Sequence, residues 1–160
     1  MIILGLDPGF ATTGFGIIEQ KGSKLIPIHY GVITTLAKTP FSKRLYSIAK
    51  ELDDLFTEYK PDSVAIEEIF FSNNTKTAIN VAQARGVMVL ACEQHKKEVF
   101  NYTPPQVKSG VCGYGGAVKK QVQYMVQKLL NLKELPKPDD AADALAIAIC
   151  HAHSARIRSL

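Results

Sequence analysis

The first segment of the chain, residues 2–9, is a nearly continuous apolar run that ends in Asp7 and a Pro-Gly turn. Such a run is typical of a strand that is buried on both faces in the middle of a sheet. An ionised carboxylate at the end of a buried strand costs several kcal/mol unless a partner neutralises its charge. Asp7 therefore either opens an Asp-Pro-Gly turn or binds a cation, and this segment alone leaves both interpretations open.

Alternating apolar residues predict two further strands, at 13–19 and 24–34, which are joined by a turn at 20–23. Three successive strands with short turns form an antiparallel meander. The segment 41–59 then carries apolar side chains at helical spacing, and Pro61 ends the predicted helix.

The second half of the chain alternates between strands and helices. The predicted elements are a strand at 63–71, a helix at 75–95, a strand at 98–102, a short helix containing Lys108, a glycine-rich loop at 110–116, a helix at 118–130 and a last helix from 139 to about 153. Strand–helix–strand units require parallel pairing. We therefore predict an α/β fold whose mixed five-stranded sheet combines an antiparallel meander with parallel strands and carries helices on both faces. We expect one domain, residues 1–153, and a frayed basic tail, residues 154–160.

Carboxylates recur at the ends of these buried elements. Glu67 and Glu68 end the fourth strand, and only one of them can share a face with Asp7, since side chains alternate along a strand. Asp140 and Asp143 lie one turn apart on the last helix, which is apolar on almost every side. That helix is therefore expected to pack against the sheet, where its carboxylates can meet those of the strands.

Capping of the last helix is the alternative role for its acidic residues, because negative charge stabilises a helix N-terminus. This role suits Asp139, at the N-cap position, better than Asp143, which lies inside a buried helix. Three or more carboxylates that converge with no basic residue in the same segments cannot all stay ionised unaided. Carboxylates without His or Cys are hard oxygen ligands that suit Mg²⁺ or Mn²⁺. Four of them would neutralise two such ions, an arrangement that serves the hydrolysis of phosphodiesters.

Composition limits the class of protein. The 160 residues are 46% hydrophobic and 21% charged, which is ordinary for a globular protein. No apolar run approaches the roughly 20 residues that span a bilayer, and the N-terminus lacks the features of a signal peptide, so we expect a cytoplasmic protein without a membrane partner. Three widely spaced cysteines favour neither a disulfide framework nor a zinc site. The net charge of +4 permits a polyanionic partner.

Several motifs, taken together and in order, resemble the RuvC family of bacterial Holliday-junction resolvases. They are Gly-Leu-Asp-Pro-Gly at 5–9, Thr-Gly at 13–14, Ala-Ile-Glu at 65–67, Gln-Ala-Arg-Gly-Val at 83–87, Pro-Gln-Val-Lys at 105–108, Lys-Gln-Val-Gln at 120–123 and Asp-Ala-Ala-Asp-Ala-Leu-Ala-Ile-Ala at 140–148. The resemblance covers residues 1 to about 153. Its specificity comes from the order and spacing of the motifs, since a lone Asp-Pro-Gly is common.

The resemblance implies a ribonuclease-H-like fold and a homodimer that binds a four-way DNA junction and nicks two opposed strands symmetrically. It implies Mg²⁺ as cofactor, two ions per subunit, with Mn²⁺ able to substitute, and a branch-migration motor complex as partner. The four catalytic acids and metal ligands of the family match Asp7, Glu67, Asp140 and Asp143. In some members the third acid is a histidine, and Glu68 stands where the family often has a neutral residue.

The resemblance also suggests which basic and aromatic residues meet DNA. The family's lysines near the scissile phosphate match Lys108 and Lys119, and we assign Lys119 to the catalytic group. Phe70 matches an aromatic residue that is expected to stack on a junction base. Further candidates for DNA contact are Lys76, Arg85 and Lys120. The alternatives are ordinary solvated charges for the lysines and core packing for Phe70.

The helix at 75–95 carries Ala82 and Gly86 one turn apart, which would permit close crossing with the same helix of a second subunit. The alternative is that these small residues pack on the protein's own sheet. We expect His151 and His153 to lie on the surface, and the glycine-rich loop either to approach DNA or to serve as a plain connector.

Three other functions share features with this sequence. An actin-like phosphotransferase also begins with a strand, an aspartate and a glycine turn, but it requires a second domain that this length does not supply. A non-catalytic junction-binding protein would be expected to have lost an acid, and all four matching positions are acidic. A related nuclease that acts on ordinary duplex or on RNA–DNA hybrids remains as an alternative within the enzyme class.

Overall fold

The computed structural model describes residues 1–70 and 75–158, which form a five-stranded sheet and five helices. The strands are β1 (Ile2–Asp7), β2 (Thr12–Lys21), β3 (Lys24–Thr34), β4 (Ser63–Glu67) and β5 (Val99–Tyr102). The helices are α1 (Phe41–Tyr59), α2 (Thr75–Gln94), α3 (Pro104–Cys112), α4 (Lys119–Leu129) and α5 (Asp139–Arg158). None of the helices in this part of the chain has the length and apolar character that crossing a bilayer requires.

The strand order is β3-β2-β1-β4-β5, with β1 in the centre. The β1–β2 and β2–β3 pairs are antiparallel, whereas β4 is parallel to both β1 and β5. This arrangement confirms the predicted mixed sheet. Ile3, Leu4 and Leu6 of β1 are fully buried, as expected for a strand covered on both faces.

Helices cover the two faces of the sheet unequally. On one face α5 lies across β1 and β2, and α3 and α4 pack against α5. On the other face α1 and α2 pack together over the side chains of Leu4, Leu6 and Ile66. Because side chains alternate, Ile3, Gly5 and Asp7 all face the α5 layer.

Glycines on β1 and β2 allow α5 to approach the sheet very closely. A Cβ atom at Gly14 would collide with the backbone carbonyl of Asp140, and one at Gly5 would collide with that of Ala144. A Cβ atom at Gly16 would lie 2.8 Å from the backbone nitrogen of Leu145. The first turns of α5 therefore rest directly on strand backbone, which only glycine permits at this separation.

The structure corrects several predicted boundaries. The fourth strand ends at Glu67 rather than at residue 71. Helix α3 extends through Cys112, so residues 110–112 are helical and only residues 113–116 of the predicted glycine-rich loop form a loop. The missing side chain of Gly110 makes room for Cys150 of α5.

The C-terminal region also departs from the prediction. Helix α5 continues to Arg158, where a frayed tail from residue 154 was expected. His151 is 2% exposed rather than a surface residue: its Nε2 atom lies 3.0 Å from Ser63 Oγ and its Nδ1 atom 2.8 Å from the hydroxyl of Tyr102. His153 is half-buried, and its Nδ1 atom lies 2.7 Å from the carbonyl oxygen of Gly110. These contacts hold the end of α5 against β4, β5 and α3.

Candidate active site

Asp7 and Glu67 lie side by side at the ends of two parallel strands. The register pairs Leu6 of β1 with Ile66 of β4, so the next residue of each strand lies at the same edge of the sheet. Ala65 packs in the core beneath α5, and the alternation of β4 therefore directs Glu67 to that same face. Glu68 follows the end of the strand and is exposed. Of the two glutamates, Glu67 is the one that shares a face with Asp7.

Helix α5 brings Asp140 and Asp143 to this edge of the sheet. The backbone of Asp140 rests on Gly14, which is the residue paired with Asp7 across β1 and β2. Asp143 lies one turn further along, with 36% of its side chain exposed. The four predicted acids therefore come from three elements that meet at one place.

The carboxylates in this group raise one another's pKa. Burial, followed by the negative charges of Glu67, Asp143 and Asp140, raises the pKa of Asp7 to about 8. Burial and the charge of Asp143 raise the pKa of Glu67 to about 7. Burial also raises the pKa of Asp143. The protein thus assembles more negative charge at this edge than its own groups neutralise.

Lys119, at the start of α4, is the cation that contacts this group. Its Nζ atom lies 3.1 Å from Asp139 Oδ2 and 3.5 Å from Asp143 Oδ2. Strands β1 and β4 and the first turns of α5 contain no lysine or arginine, and Lys119 reaches Asp143 because α4 packs beside α5 in the fold.

Asp139 acts as the anchor of Lys119 rather than as the N-cap of α5. The backbone nitrogens of Ala141 and Ala142 bond to the carbonyl of Pro138, which places the cap one residue earlier. Asp139 instead pairs with Lys119 and accepts a hydrogen bond of 3.0 Å from the side chain of Gln123. The hydrogen bond from Lys119 lowers the pKa of Asp139. No local sequence signal could have revealed this contact, since its partners lie on different helices.

The donor set fits a hard divalent cation. All four candidate ligands are carboxylates, and burial together with mutual repulsion raises the pKa of Asp7, Glu67 and Asp143. Within residues 1–70 and 75–158, no three His, Cys, Asp or Glu side chains already stand close enough to enclose an ion. Asp143 is instead turned to Lys119. The four carboxylates therefore supply the negative charge that a divalent cation needs, but among the described residues they are not already arranged around an ion.

A cleft of about 200 Å³ opens beside the carboxylates. Its charged lining residues are Glu67, Asp143, Lys108 and Lys119. The positive charge of Lys108 partly offsets the rise in the pKa of Glu67. The cleft therefore combines two carboxylates with two lysines, and the lysines can form charge-assisted hydrogen bonds with an anionic group such as a phosphodiester.

The other predicted DNA-contact residues lie outside the cleft. Phe70 is 61% exposed, so it does not belong to the core. Lys76 and Lys120 are exposed, at the first turns of α2 and α4. Arg85 is half-buried; its Nη2 atom donates a hydrogen bond of 2.5 Å to Asn101 Oδ1 and ties α2 to β5.

Comparison with known proteins gives a consistent result. The family described as crossover junction endodeoxyribonuclease RuvC matches residues 3–151. A relative of that name from Alkaliphilus metalliredigens is 57% identical over 160 residues, covering 100% of this chain and 98% of the relative. Another, from Clostridioides difficile, is 57% identical over 157 residues, covering 98% of this chain and 93% of the relative.

Among solved structures, Thermus thermophilus RuvC in complex with a Holliday junction substrate is 36% identical to this chain, with a TM-score of 0.95. The match covers 99% of this chain and 97% of that chain. A second structure of Thermus thermophilus RuvC gives a TM-score of 0.92 at 37% identity. Sequence and fold agree over the region that holds the four carboxylates, and the chain belongs to the RuvC family of crossover junction endodeoxyribonucleases.

Proposed function

We propose that this Holliday-junction endonuclease hydrolyses one phosphodiester bond per subunit, using Asp7, Glu67, Asp140 and Asp143 as ligands of two Mg²⁺ ions. The observation that carries the proposal is the unneutralised charge of the site: burial and mutual repulsion raise the pKa of Asp7 to about 8 and that of Glu67 to about 7. Carboxylates with such raised pKa values beside a cleft mark a candidate functional site, and a divalent cation bound there would keep them ionised at neutral pH. Mn²⁺ can substitute, because it prefers the same oxygen ligands.

When bound, the ions would lower the pKa of the attacking water and stabilise the leaving oxygen. The four carboxylates would hold the ions, and two of them, Glu67 and Asp143, line the cleft together with Lys108 and Lys119. Lys119 is placed to meet the negative charge that develops on the phosphate, and its ion pair with Asp139 fixes its position. Lys108 of α3 lines the same cleft and would bind a second oxygen of the phosphate.

The proposed substrate is a four-way DNA junction, which a homodimer cuts by paired symmetric nicks. Helix α2 offers a surface for the second subunit: Ala82 and Gly86 are exposed rather than packed on the sheet, and Ile79 and Leu90 beside them are 50% and 57% exposed. A Cβ atom at Gly86 would meet nothing within 4 Å, so another helix could approach closely there.

Outside the cleft, Phe70 would stack on a junction base, and Lys76, Arg85 and Lys120 would contact DNA phosphates. The exposure of Phe70 and of both lysines supports these roles, while the bond from Arg85 to Asn101 leaves it fewer free donors. We place the enzyme in the cytoplasm, where it would work in recombination and repair with a branch-migration motor complex as partner.

The test is to incubate the protein with a synthetic four-way junction and with a linear duplex of the same arms, in Mg²⁺ and in chelator. We expect paired nicks in the junction in Mg²⁺ only. Asp7→Asn should keep junction binding and abolish cleavage, whereas Asp54→Asn, an exposed carboxylate on α1, should change neither. Equal cutting of the linear duplex would indicate a less selective nuclease, and cleavage in chelator would contradict the metal-dependent mechanism.

A further inference from the structure

The outer face of α4 and the loop before it form a basic and aromatic surface next to the catalytic cleft. Lys120, Tyr124 and Lys128 follow one another at intervals of four residues and therefore form a stripe along the helix. Tyr114, in the loop before α4, lies beside this stripe. Tyr124 and Tyr114 are 54% and 51% exposed, so both rings are open to a ligand. We call these four residues the α4 surface.

The α4 surface encloses a shallow depression of about 380 Å³. Its lining combines two aromatic, two sulfur-containing and two polar side chains: Tyr114, Tyr124, Cys112, Met125, Lys120 and Gln121. An apolar, aromatic lining with a cation beside it matches a nucleotide, whose base is flat and apolar on its faces and whose phosphate is anionic.

Contacts within the protein hold both rings in place. The hydroxyl of Tyr114 donates a hydrogen bond of 2.8 Å to Gln121 Oε1, which also accepts one of 3.0 Å from the backbone nitrogen of Val118. The Nζ atom of Lys128 lies 5.2 Å from the centre of the Tyr124 ring. Rings that are already positioned lose less conformational freedom when a ligand stacks on them.

The charge of this region favours a polyanion. From residue 99 to residue 133 the chain contains five lysines and no aspartate or glutamate. Lys119, the residue before Lys120, reaches into the cleft where the scissile phosphate is proposed to sit. The α4 surface thus begins one residue along the chain from a lysine of the cleft, in the layer opposite the α2 face that is proposed to meet the second subunit.

We propose that the α4 surface binds an unpaired nucleotide of the DNA, with its base against Tyr114 and Tyr124 and the flanking phosphates on Lys120 and Lys128. A junction offers such nucleotides only where pairing is broken near the crossover, so the proposal rests on the proposed function and specifies how that substrate is held. It differs from the stacking role of Phe70, which lies beyond the end of β4 and not on this surface.

The test measures binding without cleavage. In chelator, fluorescence anisotropy gives the affinity of the protein for a labelled oligothymidine of about 12 nucleotides, a usual site size for single strands, and for a blunt duplex of that length. We expect Tyr124→Ala and Tyr114→Ala each to weaken oligothymidine binding by about tenfold, the scale of one lost stacking contact, with little change for the duplex. Tyr124→Phe should bind as the wild type does, because it keeps the ring.

Helix α1 provides the matched control. Tyr46 and Lys50 have the same spacing as Tyr124 and Lys128, Tyr46 is 70% exposed, and both lie in the layer on the other face of the sheet. Tyr46→Ala should therefore leave oligothymidine binding unchanged. Equal oligothymidine affinities for Tyr124→Ala and Tyr46→Ala would overturn the proposal. It would also be overturned if Lys128→Gln lost affinity while the tyrosine variants did not, since that result would indicate a purely electrostatic contact with duplex DNA.

Junction cleavage in Mg²⁺, measured in parallel, separates this proposal from the proposed function. Tyr46→Ala, the control on α1, is expected to cut the junction at the wild-type rate, because α1 lies on the other face of the sheet from the cleft. If the wild type fails to cut the junction, the proposed function is contradicted, while the oligothymidine affinities still decide the role of the α4 surface.

Discussion

The backbone carbonyl of Asp140 rests on Gly14, and Gly14 is paired with Asp7 across the two central antiparallel strands. This contact fixes the distance between the sheet and α5 at the point where both carry carboxylates. The absence of a side chain on one strand residue thus positions an acid on a helix that lies far away in sequence.

Gly14→Ala should push the first turn of α5 away from the sheet. We expect it to destabilise the protein by about 1–3 kcal/mol, the usual scale of overpacking, and to lower cleavage more than junction binding, because Asp140 and Asp143 shift relative to Asp7. Urea unfolding and junction cleavage rates measure the two effects.

Gly116→Ala is the control for this variant. A Cβ atom at Gly116 would make ordinary van der Waals contact with the Tyr114 ring, at 3.5 Å. The stability and the cleavage rate of Gly116→Ala should therefore remain close to those of the wild type. Wild-type cleavage in Gly14→Ala would show that the close approach of α5 does not position the acids.

The raised pKa of Asp7 predicts that the metal-free protein loses stability as pH rises. In the folded state the pKa is about 8, against an ordinary value of 3.8, so the folded state binds more protons than the unfolded state between about pH 4 and pH 8. The free energy of unfolding must then fall with rising pH over this interval. Thermal unfolding in chelator at a series of pH values measures the slope.

Asp7→Asn should flatten this pH dependence and raise the melting temperature of the metal-free protein at pH 8, because it removes a buried charge. Mg²⁺ should stabilise the wild type at that pH and leave Asp7→Asn nearly unaffected. Asp54→Asn, on the surface of α1, should behave like the wild type in both conditions. Equal stabilisation of Asp7→Asn by Mg²⁺ would place the ions elsewhere.

Lys119 is predicted to act on the substrate directly, and Asp139 is predicted to act only by holding Lys119 in place. Lys119→Gln removes the cation that faces both Asp143 and the cleft, and we expect cleavage to fall by about 100-fold or more at saturating protein. Asp139→Asn keeps the lysine but weakens its anchor, so the loss should be smaller.

Single-turnover cleavage of a saturated junction gives both rates, and Lys50→Gln on α1 serves as the control. If Asp139→Asn is as inactive as Lys119→Gln, Asp139 takes part in the chemistry directly and is more than an anchor.

His151 is predicted to stabilise the sheet rather than to act in the reaction. His151→Ala removes its hydrogen bonds to Ser63 and Tyr102 and leaves a cavity beneath α5, which should cost about 2–5 kcal/mol. Tyr102→Phe removes one of these bonds and should cost about 1 kcal/mol. Urea unfolding tests both values, and an unchanged midpoint in His151→Ala would contradict this role.

Features that depend on local pattern were predictable from the sequence. The alternation of β1 and β4 and the apolar character of α5 predicted the central pairing, the face shared by Asp7 with one glutamate, and the packing of α5 on the sheet. Features that depend on contacts between distant segments were not predictable. Lys119 meets Asp139 because two helices lie side by side, and His151 is buried because α5 packs it against Ser63 of β4 and Tyr102 of β5.

The two adjacent glutamates give the most direct test of the site. Glu67 faces Asp7 and Asp143 beneath α5, while Glu68 follows the end of the strand and is exposed. The measurement is the rate of four-way junction cleavage in Mg²⁺ for Glu67→Gln and Glu68→Gln, with junction affinity measured in chelator. The account predicts that Glu67→Gln binds the junction but does not cut it, and that Glu68→Gln cuts it near the wild-type rate. Cleavage by Glu67→Gln together with inactivity of Glu68→Gln would contradict it.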